Sequence, residues 1–116
     1  MGGVMKLITA IIKPSMLDDV QDTLIDLGVK WITIAEVRGF GAEHGHTEIY
    51  RGSEYAAAFV PRLKIEVVSS EDRVQQIVDA IVRSARTGTP GDGMVVVCPI
   101  DQAILIHTGA QGGGAL

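Results

Sequence analysis

The stretch Thr87-Gly88-Thr89-Pro90-Gly91-Asp92-Gly93 concentrates residue types that can handle an anion. Three glycines and two threonines between a helical pattern and a strand pattern make a tight turn. Such a turn can aim backbone N–H groups at a phosphate or carboxylate. No Gly-Lys-Ser/Thr follows, so it is not a Walker A loop. The same glycines serve equally if the turn alone is needed. A second constellation is His44-x-His46-x-Glu48, whose alternate residues share one face of an extended segment and offer metal-ligand chemistry. Solvated loop histidines are the commoner outcome for such a run. The lone cysteine, Cys98, stands in Val-Val-Val-Cys-Pro and reads as a buried strand position rather than a nucleophile. No paired carboxylate, Ser/His/Asp group or activated thiol converges in the sequence, so an enzyme is not expected.

These residues need a scaffold to position them, and the pattern supplies one. Lys6–Lys13 is rich in β-branched residues and bounded by Pro14, which predicts a strand. Ser15 is placed to cap a helix, with Asp18 and Asp19 in its first turn and Leu17, Val20, Leu24 and Leu27 at helical spacing. Gly28 supplies its stop. Trp31–Arg38 and Arg62–Val68 read as the next strands. Ser70 is placed to cap a second helix with a stripe of Val74, Ile77, Val78, Ile81, Val82 and Ala85, ended by Gly88. Met94–Cys98 and Ala103–His107 read as two further short strands.

The order β-α-β, insertion, β-α-β predicts an α+β, ferredoxin-like βαββαβ sandwich with both helices on one face of an antiparallel sheet. The first strand is apolar on both faces: Leu7, Thr9 and Ile11 on one, Ile8, Ala10 and Ile12 on the other. Two helices cover one face only, so the second is expected to be buried against other copies in a homo-oligomer. The insertion, residues 39–61, holds four glycines, two histidines and two tyrosines. At that length a loop in a compact domain is usually functional or disordered.

The bulk properties narrow the classes. With 116 residues, 47% hydrophobic and 21% charged, the chain has room for one domain and a modest core. A net charge of −4 without a Lys/Arg cluster disfavours nucleic acid. The apolar runs fall well short of a membrane span, and no signal peptide is visible. With one cysteine no internal disulfide forms, which agrees with a cytoplasmic location. Met1–Val4 reads as an extension before a natural start at Met5.

Several of these segments carry a likeness. Met-Lys-Leu-Ile-Thr-Ala-Ile-Ile-Lys-Pro at 5–14 and Leu-Asp-Asp-Val at 17–20 resemble the opening of the PII nitrogen-regulatory proteins. Gly39-Phe40-Gly41, Gly45-His46-Thr47-Glu48 and Tyr50-Arg51-Gly52-Ser53-Glu54-Tyr55 are similar to that family's T-loop. Phe59-Val60-Pro61-Arg62, Ile65-Glu66-Val67, Thr87-Gly88, Gly91-Asp92-Gly93 and Thr108-Gly109 continue the match across about residues 5–110 of a single domain, 1–116. The resemblance implies a homotrimer that binds an adenine nucleotide between subunits and signals through the T-loop, 39–61, in nitrogen or carbon regulation. A membrane transporter or regulatory enzyme would be the partner. Many members also bind 2-oxoglutarate with Mg-ATP.

By the same resemblance, Ile11, Thr33, Gly39, Phe40, Gly41, Glu66, Val68, Thr87, Gly88, Gly91, Asp92, Gly93 and His107 match positions around the nucleotide. Tyr55 and Ser53 match modified residues, although Tyr55 can equally pack its ring at the loop base. Four positions that carry basic residues in triphosphate-binding members read Ala42, Met94, Leu105 and His107 here. A hydrogen bond to a charged group is worth about 1.5–3 kcal/mol, so losing three or four weakens ATP on the order of 10³-fold or more. ADP, AMP or cyclic AMP is therefore expected over ATP, with no tightly bound cofactor. Glu43 replaces a glutamine of the 2-oxoglutarate responders. It can still ligate Mg²⁺ but repels a dicarboxylate. Arg62 replaces the usual lysine and keeps a positive charge for a small anion such as bicarbonate. The alternatives are an adenylate- and bicarbonate-responsive PII-like regulator that does not sense 2-oxoglutarate, and a metal-handling structural oligomer that ignores nucleotides.

Overall fold

The computed structural model describes residues 4–39 and 59–116. Met5–Ile12 forms strand β1, and Pro14 opens a single 3-10 turn, Pro14–Met16, that leads into helix α1, Leu17–Asp26. Strand β2 is Thr33–Gly39, β3 is Val60–Ser70, helix α2 is Val74–Ala85 and β4 is Gly93–Ile100. The four strands make one antiparallel sheet in the order β2-β3-β1-β4. This is the expected α+β, ferredoxin-like arrangement.

Alternation along β1 sorts its side chains as anticipated. Ile8, Ala10 and Ile12 are buried with Val20 and Leu24 of α1, Ile65 and Val67 of β3, and Ile77 and Ile81 of α2. Burying each of the larger side chains contributes about 1.5–3 kcal/mol. The opposite face stays partly open. Across β4 and β1 it presents Met94 beside Ile11, Val96 beside Thr9 and Cys98 beside Leu7. Met94 is 66% exposed.

Several local expectations are corrected. Neither Ser15 nor Ser70 makes a capping hydrogen bond. Each helix is entered through a 3-10 turn, so the cap position falls later in the chain, on Met16 rather than Ser15 and on Arg73 rather than Ser70. The end of α1 is instead secured by Arg73, whose guanidinium donates to the Leu27 carbonyl. Gly28, with φ +82°, follows directly. α2 ends at Ala85, with extended backbone at Arg86, so Gly88 belongs to the next turn rather than to the helix stop. Strand β2 begins at Thr33, not Trp31, while β3 and β4 run longer than expected at both ends.

Residues 103–107 do not form a strand of the sheet. They fold back on 110–112 through Leu105 N–H to the Ala110 carbonyl (2.8 Å) and Gly112 N–H to the Ala103 carbonyl (3.2 Å). The Thr108-Gly109 turn reverses the chain too soon for ladder pairing, and Ile106 is left 96% exposed. Cys98 is exposed rather than buried, because it lies on the sheet face away from the helices.

The start of β4 has a strict steric condition. Gly93 has φ +117°, and a Cβ there would stand 1.7 Å from the Ile11 carbonyl oxygen. Gly88 also has positive φ, +87°, but open space around it. Gly93→Ala is therefore expected to destabilise the fold by about 3 kcal/mol or more, and Gly88→Ala by about 1 kcal/mol. Urea denaturation of both variants tests the difference; equal losses would contradict the backbone clash.

Candidate functional site

The 87–93 turn sits where β1 runs out, and the side chains that leave the sheet there grip it. Lys13, just past β1, donates to Thr87 Oγ1 (3.2 Å) and Thr89 Oγ1 (2.8 Å), and its ammonium lies 3.3 Å from Asp92 Oδ1. Asp92 turns back into its own turn. Its Oδ2 accepts the backbone N–H groups of Thr87 and Gly88, both at 2.9 Å, and its Oδ1 accepts the Thr87 hydroxyl. From the neighbouring strand, Arg62 Nη2 donates to the Gly91 carbonyl at 3.2 Å.

This arrangement refines the anion-site expectation. Two backbone N–H groups of the turn already face a carboxylate, that of Asp92. The turn is thus preformed around an internal anion. The Thr87 hydroxyl and N–H, then the Gly88 N–H and the Lys13 ammonium, hold Asp92 well below the usual carboxylate range.

A second group gathers on the open face of the sheet. Thr33, Glu66, Thr9 and Val96 lie in one row across all four strands. Thr9 donates its hydroxyl to Glu66 Oε2 at 3.2 Å. Beside them a cleft of about 830 Å³ is lined by Trp31, Thr33, Val68, Leu105, Ile106 and His107, among others. Its walls are apolar with few polar groups, the composition of a small-molecule site. The pattern of the sequence could not find Trp31 as a cleft residue, because only the fold brings it beside 103–107.

The structure thus divides the nucleotide-matched residues. Thr33, Val68 and His107 share the cleft, with Glu66 adjoining Thr33 in the sheet row. Thr87, Gly88, Gly91, Asp92 and Gly93 form the turn, and none of them lines that cleft within one chain. Ile11 abuts the turn through its carbonyl near Gly93. Gly39, the last residue of β2, pairs with Val60 at the stem of the insertion. Phe40, Gly41, Ala42, Glu43, His44, His46, Glu48, Ser53 and Tyr55 lie outside the described residues. Among the described residues no three His, Cys, Asp or Glu side chains gather to hold a metal ion.

The Asp92 arrangement carries a pH signature. Its carboxyl titrates lower in the fold than its ordinary 3.8, so the stability it contributes is present above that value. The contribution is lost as pH falls through the folded value. The amide resonances of Thr87 and Gly88 are expected to hold steady from neutral pH to about pH 4 and to move only below it. Asp92→Asn should abolish that acid titration and disturb both resonances at neutral pH. An acid response unchanged in Asp92→Asn would assign it to another group.

Comparison with known proteins agrees with the fold. The family model described as "Nitrogen regulatory protein P-II" matches residues 5–110. A nitrogen regulatory protein P-II of Azospirillum brasilense is 47% identical over 112 residues, 97% of this chain and 100% of the relative. One from Haemophilus influenzae is 48% identical over the same share of both chains. Among solved structures, Arabidopsis thaliana PII bound to citrate superposes with a TM-score of 0.82 at 30% identity, covering 98% of this chain and 94% of that one. No described helix is long and apolar enough to cross a membrane. The chain belongs to the P-II family of nitrogen regulatory proteins, which are signal-transduction regulators.

Proposed function

We propose that this protein is a regulatory sensor, not an enzyme, that binds an adenine nucleotide between copies of itself and signals to a partner through the segment between β2 and β3. The observation that carries this reading is the apolar cleft beside the Thr9–Glu66 pair. Adenine is flat, largely apolar and carries an amine donor. An apolar wall from Trp31, Val68 and Leu105 with a carboxylate close by suits it. Thr33 and His107 supply polar atoms at the same cleft.

The phosphate side favours fewer phosphates. By the resemblance, Met94, Leu105, His107 and Ala42 fall at positions that are basic in triphosphate-binding members of the family. The N–H groups of Thr87 and Gly88 are engaged by Asp92. ADP, AMP or cyclic AMP is accordingly the preferred ligand. Glu43 with Mg²⁺, and Arg62 with a small anion such as bicarbonate, complete the proposed effector site; 2-oxoglutarate is disfavoured by the charge of Glu43. Tyr55 and Ser53 are the proposed modification positions.

A homotrimer is proposed on two grounds. The open sheet face exposes Met94, Val96 and Cys98 next to Leu7 and Ile11, an apolar surface that helices of the same chain do not cover. The cleft and the glycine turn are also separate within one chain, so a site using both takes them from different copies. A membrane transporter or regulatory enzyme in the cytoplasm is the proposed partner.

Calorimetric titration with AMP, ADP, cyclic AMP and ATP, each with and without Mg²⁺ and bicarbonate or 2-oxoglutarate, tests the ligand. ATP is expected not to be the tightest nucleotide, and Glu66→Gln to weaken adenylate binding about tenfold. Nanomolar ATP binding strengthened by 2-oxoglutarate would overturn this preference. Sedimentation equilibrium is expected to give three times the 12.3 kDa chain mass; a monomer at micromolar concentration would refute the inter-copy site.

A further inference from the structure

Arg62 is 9% exposed, an unusual degree of burial for a cation. It lies in the stem that closes the 40–58 segment, where Gly39 pairs with Val60, Arg38 with Pro61 and Val37 with Arg62. Its side chain packs along the end of that stem, since a Cβ at Gly39 would meet Arg62 Cγ at 3.7 Å. The guanidinium then leaves the stem. Nη1 donates to the Pro61 carbonyl at 2.9 Å and Nη2 to the Gly91 carbonyl at 3.2 Å. Gly91 is itself buried in the 87–93 turn.

Between β3 and β4 the backbone ladder is interrupted by β1, with Leu63 paired to Ile12 and Ile12 to Gly93. Arg62 spans that gap with one side chain. The planar fork fixes the directions of its donors toward the two carbonyls, while an ammonium has three donors but sits on a flexible stem that does not hold both acceptors in one geometry. We propose that Arg62 is a positioning residue that locks the stem of the 40–58 segment to the glycine turn, so that a displacement of either is felt by the other. That lock is a property of the chain alone. Its consequence for signalling, that a ligand at the turn shifts the stem, rests on the function proposed above.

Hydrogen exchange of the full-length protein, without ligand, tests the lock in Arg62→Gln and Arg62→Lys. Breaking a charged hydrogen bond in a buried setting is expected to speed exchange about tenfold or more in residues 87–93 and in the stem residues 37–39 and 60–62. Exchange within Ile77–Ile81 of α2 should stay as in the parent. If Arg62→Gln fails to fold, Arg62→Lys decides, since it keeps the charge and loses the fork. Parent-like exchange in Arg62→Lys, or an equal rise in α2 that marks general destabilisation, would overturn the proposal. Titration of the parent with ADP and AMP separates the two readings. Local loosening in the variants with no adenylate binding by the parent would keep the lock and reject the nucleotide reading.

Discussion

Strand β1 carries backbone pairing on both edges and apolar side chains on both faces, and the remaining structure is arranged around that demand. Its edges are met by β3 and β4 in antiparallel register. One face, Ile8, Ala10 and Ile12, is sealed by α1 and α2. The other face sets Thr9 and its bond to Glu66 among exposed apolar neighbours. Where the strand stops, Lys13 passes directly into the glycine turn. The core, the open face and the anion-type turn therefore all hang from this one strand and the lysine that follows it.

The polar groups at that end of the sheet are largely spent on one another. Asp92 fills the N–H nest of its own turn, Lys13 neutralises it from outside, and Arg62 fastens Gly91 from the stem side. An exposed ion pair such as Lys13–Asp92 contributes little by itself. Its value here is geometric, because it closes a network that includes two backbone N–H groups. A preformed turn costs less to order around a ligand, but it offers fewer unspent donors to phosphate.

Much of this was legible in the residues. The alternation in Lys6–Lys13 and the 3.6-residue stripe of α2 carried the layers and the face that each strand buries. The Thr87–Gly93 turn was recognisable from its glycines, although a side chain at Gly93 would meet a backbone atom while one at Gly88 would meet open space. The serine caps failed because a 3-10 turn precedes each helix and moves its start onward. Residues 103–107 have strand composition yet pair with their own return segment, since the Thr108-Gly109 reversal leaves no length for a ladder. Cys98 looked interior because its neighbours are apolar. Its exposure follows from which side of the sheet the helices occupy.

By itself, then, the sequence determined the α+β layering, the unfilled apolar face and the family, because periodicity and local turn chemistry are written in consecutive residues. The tertiary structure decided which groups meet. The bonds of Arg62 to Gly91 and of Lys13 to Thr87 and Thr89, and the juxtaposition of Trp31 with Leu105 and His107, join residues far apart in the chain. No local pattern encodes such pairs, since they depend on strand order and register, which are settled only when the whole sheet closes over its core.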